Sequence, residues 1–476
     1  MLHRRQLLRA LVHISTICLL LVNHLNANLR ESSFRRWWVK PHLKLRDRYG
    51  AYSTIFEYFK LRDEEEFFSF TGMTLNQFQR LHNLVRHRLT KYSPRGSLSA
   101  ELKLAATLNY MVHDTSVKEV AWHYLIGRTT LYEFIPDVCR AISETLRPRY
   151  MRFPSNNQEW DAIAQGFWDK YQIPNCVGAL DGKHFRIRQP AHSGASFWNW
   201  KRFYSVNVMA VCDSDGYFMW VSAGALGSLN DSTVFRNTNL GAALYQDDLP
   251  IINQRSRLPN TDVNLTRFLI ADGGFPLERF MLRPFPTVRP MPLERRIFNI
   301  RLGTARRVIE RAFGILTKKF RCFENPLDFN LETIDLIILT SFILHNYLLT
   351  ESRDVDVDRH RYGHDSDDDD SSSDEDSELE DDASSLASQS SSGISCEESS
   401  RSRSSDSDAS MDDADDGSDV EQSSSSSSSE ESSEVSSEDE EFDDVNPDAQ
   451  GELMRDILCQ YFTSPAGNVE WQWDLI

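Results

Sequence analysis

The chain has 476 residues, 40% of them hydrophobic, and a formal net charge of −19, which is room for two or three domains with cores of their own. The charge is unevenly spread: residues 354–448 hold 35 acidic and 4 basic side chains, about −31, and the remainder carries about +12, as expected of a folded part that meets phosphate. The seven cysteines are odd in number and include no C-x-x-C pair, which excludes a disulfide framework and a cysteine-type zinc site and fits a reducing compartment.

At the N-terminus, His3, Arg4, Arg5 and Arg9 precede an apolar stretch from Leu11 to Val22. A basic start with a short apolar core has the form of a signal or anchor. However, about 12 residues interrupted by His13, Ser15 and Thr16 are short for a membrane span. The favoured reading is a buried helix, and no membrane partner is expected. Residues 29–60 contain Arg35-Arg36-Trp37-Trp38 and Arg46-Asp47-Arg48-Tyr49. They read equally as a DNA-facing arm or as a surface segment packed on the next helices, so residues 1–60 form an N-terminal arm.

Residues 61–150 read as a helical domain. Thr74 can start a helix in which Phe78, Leu81, Leu84 and Val85 recur at helical spacing, and Leu102, Leu104, Leu108 and Met111 mark a second. Ser116 to His123 opens as a capping box, Gly127 breaks it, and another helix starts at Arg128. A short helix, a glycine turn and a helix opening on basic and hydroxyl residues make a helix-turn-helix pattern. It would present Arg128, Thr129 and Tyr132 to DNA. Many three-helix bundles share that spacing without touching nucleic acid.

Residues 150–175 read as a connector, after which the period shortens. Cys176 to Leu180 and Phe185 to Arg188 read as strand segments. Tyr204 to Cys212 and Tyr217 to Ala223 form a hairpin about the turn Asp213-Ser214-Asp215-Gly216, and Phe268 to Ala271 is a further strand. Ala305 to Phe320 is an amphipathic helix, and Ile334 to Leu348 an apolar one suited to a core. Residues 353–448, runs of Ser, Asp and Glu, cannot bury enough apolar surface to offset chain entropy and are expected to be disordered. In 449–476, Leu453, Ile457, Tyr461 and Phe462 return to helical spacing; this segment either docks on the core or binds a partner.

Three carboxylates stand out. Asp181 and Asp272 each end an apolar strand before glycine, and Glu310 lies among arginines on the Ala305–Phe320 helix. Taken singly, each has a plainer reading as a turn residue or a solvated ion pair. Together they form a like-charged cluster that divalent cations would relieve, and two such ions can clamp the attacking and leaving oxygens of a phosphodiester. Asp231 reads as a helix N-cap or as a group supporting the carboxylates. Lys201 and Arg202, beside Trp198 and Trp200, read as DNA contacts or as a loop covering the sheet; Arg307 and Arg311 flank Glu310 and suit phosphate.

The stretches Val177-Gly178-Ala179-Leu180-Asp181-Gly182-Lys183-His184, Tyr204 to Val208, Gly227 to Ser232, Ala271-Asp272-Gly273-Gly274-Phe275-Pro276-Leu277, Phe298-Asn299, Arg306, Glu310-Arg311-Ala312-Phe313-Gly314 and Lys319 to Arg321 come in an order and spacing that resembles the PIF/Harbinger family of DDE transposases. The likeness covers roughly residues 60–350. It implies an α/β fold: an RNase H-like mixed-sheet catalytic core over 151–352, with the helix-turn-helix-like domain before it. It implies a DNA endonuclease or transposase with Asp181, Asp272 and Glu310 as catalytic and metal-holding triad, two Mg²⁺ or Mn²⁺ ions, DNA as substrate, a Myb/SANT-like DNA-binding partner and a nuclear location. A homo-oligomer is a further expectation. The competing reading is a domesticated, catalytically weak DNA-binding or chromatin-interaction protein. Asn230 stands where relatives usually have His, Met209 where many have Gln, and Ala271 where Gly is common; none of these removes a carboxylate.

Overall fold

The computed structural model describes residues 13–23, 37, 39–91, 97–249, 254–362 and 447–476. Contacts divide the chain into one unit of residues 1–359 with 436–476 and another of residues 360–435; nearly every described element belongs to the first. The expected disorder of the acidic tract lies outside the described residues apart from its ends.

A five-stranded mixed sheet carries the molecule. Its strands are β1 (Cys176–Arg186), β2 (Ser205–Cys212), β3 (Phe218–Leu226), β6 (Phe268–Ile270) and β7 (Met281–Leu282), with β4 (Arg255–Arg257) and β5 (Asn264–Thr266) forming a separate ribbon. The order is β3-β2-β1-β6-β7. The first three strands are antiparallel neighbours, whereas β1, β6 and β7 run parallel. All of β2 is buried, which is why it reads as a near-continuous apolar run rather than an alternation.

Two departures from expectation matter for the site. The strand holding Asp181 does not end there: the two segments expected around it are one strand, β1, paired with β2 from Ala179↔Cys212 to Arg186↔Ser205. Cross-strand pairing carries the strand through Asp-Gly, which in isolation reads as a turn. The expected connector, in turn, contains a helix, Asn157–Tyr171, started by Asn156 accepting from the Glu159 N–H at 2.9 Å and burying Trp160 and Phe167.

The helical region consists of α1 (Glu64–Thr71), α2 (Leu75–Leu89), α3 (Ala100–Val112), α4 (Val117–His123) and α5 (Arg128–Tyr150), with α6 the Asn157–Tyr171 helix. Thr74 and Ser116 both close capping boxes, on Gln77 and Glu119. On one face of the sheet lie α7 (Asp231–Arg236) and α8 (Asn239–Tyr245); on the other come α9 (Leu293–Lys319), α10 (Leu331–Tyr362) and α11 (Pro447–Thr463). The boundary expected at residue 150 separates elements but not cores, since one buried cluster runs from Ala51 through the sheet to Phe462. Tyr347 of α10 donates to the Gln77 carbonyl at 2.7 Å, and Ser143 and Thr340 share a hydrogen bond of 3.0 Å.

The arm from residue 39 onward packs on these helices: Phe56 is fully buried, and Arg46 Nε donates to the Leu125 carbonyl at 3.0 Å. The apolar segment near the N-terminus is helical over His13–Asn23 but is exposed, with Leu19 at 65% and Leu20 at 63%, so the expected burial is not found. Among the described residues one helix, Leu331–Arg353, is long and apolar enough to cross a membrane; 72% of it is buried inside the protein.

Candidate active site

Register brings the two aspartates together. Strands β1 and β6 are parallel neighbours with Ala179 opposite Ile270. Two residues further on come Asp181 and Asp272, and a period of two keeps each on its predecessor's face. Ala179 and Ile270 both belong to the core that α9 covers, whereas Leu180, Leu269 and Ala271 point into a second cluster on the opposite face. Asp181 therefore projects from β1 toward α9, and Asp272, two residues past the end of β6, lies close enough for its charge to act on Asp181. Their carboxylates accept only short local bonds, Asp181 from the Gly182 N–H at 2.8 Å and Asp272 from the Gly274 N–H at 2.9 Å.

Helix α9 enters that face with Ala305, Val308, Ile309 and Ala312 buried, and Arg306 and Glu310 on its flank. It is longer than the sequence suggests, beginning at Leu293. Arg306 pairs with Glu310 one turn on at 2.5 Å, and the same guanidinium faces Asp181. Glu310 is thus held by an arginine that also serves the aspartate. Among the described residues no three His, Cys, Asp or Glu side chains stand close enough to share one metal ion. Helix α9 packs on β1, and Glu310 is turned to Arg306.

A third aspartate lies nearby. The expected cap at Asp231 is corrected by the structure: Asn230 caps α7, accepting from the Thr233 N–H at 2.8 Å, and Asp231 is the first helical residue. Its carboxylate accepts from Asn207 Nδ2 at 2.7 Å and lies against the back of Gly182. A Cβ at Gly182 would come within 2.8 Å of Asp231 Oδ1 and 2.6 Å of Met209 Cε, so the glycine after Asp181 is what lets Asp231 approach. Burial pushes the Asp181 carboxyl up to about 6. The Gly182 N–H and Arg306 oppose that shift, and the charges of Asp272 and Asp231 add to it.

Basic groups surround the carboxylates. Lys183, two residues from Asp181 on the same face, lies with its ammonium 5.5 Å from the centre of the Phe313 ring. Burial draws its pKa down, against the pull of Asp181 and with help from Lys201. His184, on the Asp231 side, is lowered by burial against the attraction of Asp231; its Nδ1 shares a 3.0 Å bond with Ser205 Oγ, which also accepts from Asn199. Lys201 is exposed, with its ammonium 4.9 Å from the centre of the Trp200 ring. Arg202 is exposed in the same loop at φ 64, and Trp200 beside it is 79% exposed.

The other expected nucleic-acid contacts lie elsewhere. Arg128 and Thr129 are exposed in the first turn of α5, where Tyr132 packs edge-on against Phe329, 5.0 Å between ring centres. Arg307 is exposed on α9, and Arg311 reaches Tyr171 Oη at 3.5 Å. Lys183 and Asn207 are site residues that the sequence pattern does not single out. Strand alternation is the signal that could find Lys183; for Asn207, buried in an apolar strand, the need of a buried polar side chain for a partner is the only one.

The donor set suits a hard cation. Two carboxylates on adjacent strands with a third behind them repel one another, and a cation that prefers oxygen relieves that cost. Asp181 and Asp272 offer oxygen of the right kind, but among the described residues no third such side chain stands close enough to share an ion with them.

Residues 180–346 match the family model described as DDE superfamily endonuclease. A protein of Bos taurus named "Putative nuclease HARBI1" is 25% identical over 313 residues, covering 64% of this chain and 84% of that protein. Its Homo sapiens counterpart is 25% identical over 317 residues, with the same coverage. "Protein ALP1-like" of Arabidopsis thaliana is 28% identical over 217 residues, covering 43% of this chain and 51% of that protein. No solved structure gives a significant match.

Proposed function

We propose, for a chain that belongs to the Harbinger-derived DDE nuclease family, that it is a divalent-metal-dependent DNA endonuclease working at Asp181, Asp272 and Glu310. The observation that carries this reading is the register that sets Asp181 beside Asp272 on the face covered by the Glu310 helix. Mg²⁺ or Mn²⁺ held there would lower the pKa of an attacking water and stabilise the leaving 3′ oxygen.

The chain's own residues do the rest. Asp181 and Asp272 supply oxygen ligands from a rigid sheet. Asp231, tied to Asn207, keeps a negative field behind Asp181. Arg306 offsets the charge of Asp181 and pairs with Glu310. Lys183 and Lys201 suit the phosphate flanking the scissile bond, and Trp200, exposed beside Lys201, suits stacking on an unpaired base. Arg128, Thr129 and Tyr132 on α5, with Arg202, Arg307 and Arg311, are the proposed wider DNA contacts. A protein that cuts DNA would work in the nucleus, where a Myb/SANT-like partner would supply sequence choice.

The test is nicking of supercoiled plasmid with Mn²⁺ or Mg²⁺ by the full chain and by Asp272→Asn. Metal-dependent nicking that falls roughly 10³-fold or more in the variant supports the reading. Equal nicking by both proteins overturns it. One observation favours a second reading, a DNA-binding protein with little catalysis: Glu310 is already engaged by Arg306. Metal-independent DNA binding, with no cleavage in the presence of nuclear extract, would support that alternative.

A further inference from the structure

The segment after the acidic tract folds back on the core. Helix α11 buries Met454, Leu458 and Phe462 completely and packs on both α9 and β7. Its footing on the strands is close. Gly451 lies so near Glu278 that a Cβ would come within 2.9 Å of that residue's backbone carbon. Tyr461 Oη donates to the Pro259 carbonyl at 3.1 Å, and Met454 Sδ lies 3.3 Å from Thr266 Oγ1.

Its footing on α9 is Arg301. That side chain is fully buried, with its guanidinium 3.9 Å from the centre of the Phe462 ring. Nη1 donates to the Gly467 carbonyl at 2.6 Å and to Gln472 Oε1 at 3.3 Å, while Nη2 donates to the Gln172 carbonyl. Gln472 is in turn fixed by the Phe462 carbonyl and Asn468, and Trp471 Nε1 donates to Gln172 Oε1 at 3.0 Å.

We propose that residues 447–476 are a strap that sets the Glu310 helix against the strands carrying Asp272, with Arg301 as its positioning residue. The inference rests on the nuclease reading. The β1–β6 pairing reaches Ala179 and Ile270, two residues before each aspartate, and among the described residues no backbone ladder joins those strands to α9. The strap is a chain segment that grips both sides: Thr266 and Glu278 flank Asp272 in sequence, and Arg301 precedes Glu310 by nine residues, about 13 Å of helix. A shift of α9 by a fraction of an ångström moves Glu310 relative to the aspartates, and metal affinity is sensitive to such displacements.

The experiment uses the full chain as wild type, Arg301→Lys, Gly467→Ala and Asp272→Asn. Lysine cannot reproduce the three-acceptor fork, and a Cβ at Gly467 would meet the Tyr461 ring at 2.7 Å. Hydrogen exchange over residues 454–462 reports strap opening, circular dichroism reports folding, and calorimetry with Mn²⁺ alone reports the site. Whichever folded variant opens the strap should weaken Mn²⁺ binding about tenfold and lower kcat correspondingly, with KM for DNA unchanged. A merely structural role would lower thermal stability and leave Mn²⁺ affinity in the folded protein as it was, and that result overturns the strap. Exchange over 454–462 that stays unchanged in both variants overturns Arg301 as the positioning residue. Failure of the underlying reading looks different: wild type and Asp272→Asn would then bind Mn²⁺ alike, whatever the strap does.

Discussion

The two halves of α9 treat charge in opposite ways. Toward its N-terminus, Arg301 is fully buried, stacked on Phe462 and supplied with three oxygen acceptors from the strap and from Gln172. Farther along, Arg306 and Glu310 sit partly exposed as an ion pair, with the Arg306 charge acting on Asp181. A charge that serves the fold is buried only with its partners in place. A charge that serves chemistry is left under-compensated, because a fully satisfied carboxylate has nothing to offer an incoming cation. The contrast teaches where to look for function on one continuous helix.

The sharpest test of the buried half is Arg301→Ala. It leaves three buried acceptors without a donor and a void against Phe462, at a cost of about 3–5 kcal/mol; chemical denaturation should show a larger loss than Gly182→Ala or Arg306→Gln produces. A loss under about 1 kcal/mol would mean that the strap contributes little to folding.

The opposite half should respond with the opposite sign. Burial raises the Asp181 carboxyl from 3.8 to about 6. Between those values the native state holds a proton that the unfolded chain has released, so this group's contribution to stability falls as pH rises through the window. Asp181→Asn removes that cost. Without metal, the variant should be more stable than wild type at pH 8 by on the order of 2 kcal/mol, and the difference should vanish near pH 4. Added Mn²⁺ should stabilise wild type but not the variant. A variant that is less stable at pH 8 without metal would break the comparison.

Smaller effects sharpen it. Gly182→Ala places a methyl against Asp231 Oδ1 and Met209 Cε, displacing the supporting aspartate at a cost of about 1–3 kcal/mol and weakening Mn²⁺ binding. Arg306→Gln frees Glu310 and removes a cation from Asp181. Its stability should change by less than about 1 kcal/mol, as expected of a partly exposed pair, while its metal-free Asp181 titrates higher still, which carboxyl NMR would detect. An unchanged Asp181 titration would show that Arg306 does not neutralise it.

Much of the site is legible without the fold. The apolar runs leading to Asp181 and Asp272, and the amphipathic face bearing Glu310, appear in the residue pattern because burial selects residue types locally. Arg301 cannot be found that way: an arginine on a basic helix looks solvated until Gly467 and Gln472, 166 and 171 residues later, close over it. For a related reason the sequence leaves Asp231 open between a cap and a supporting group. Asx capping is a local signal, and Asn230 meets it equally well, while the tie to Asn207 depends on strands that only the sheet brings near.

By itself, then, the amino-acid sequence determined the hairpin strands and most of the helices, which carboxylates are out of place in them, and that the tract over 354–448 stands apart in composition. Tertiary structure alone decided that β1 continues through Asp181-Gly182, that Ala179 faces Ile270 so that the aspartates align, that Glu310 is paired with Arg306, and that the C-terminal segment returns to grip α9. The division follows from range. Periodicity and capping act over a few residues and are written in neighbouring positions. Register across strands and the satisfaction of a buried guanidinium depend on residues far apart in the chain, whose proximity no local pattern encodes.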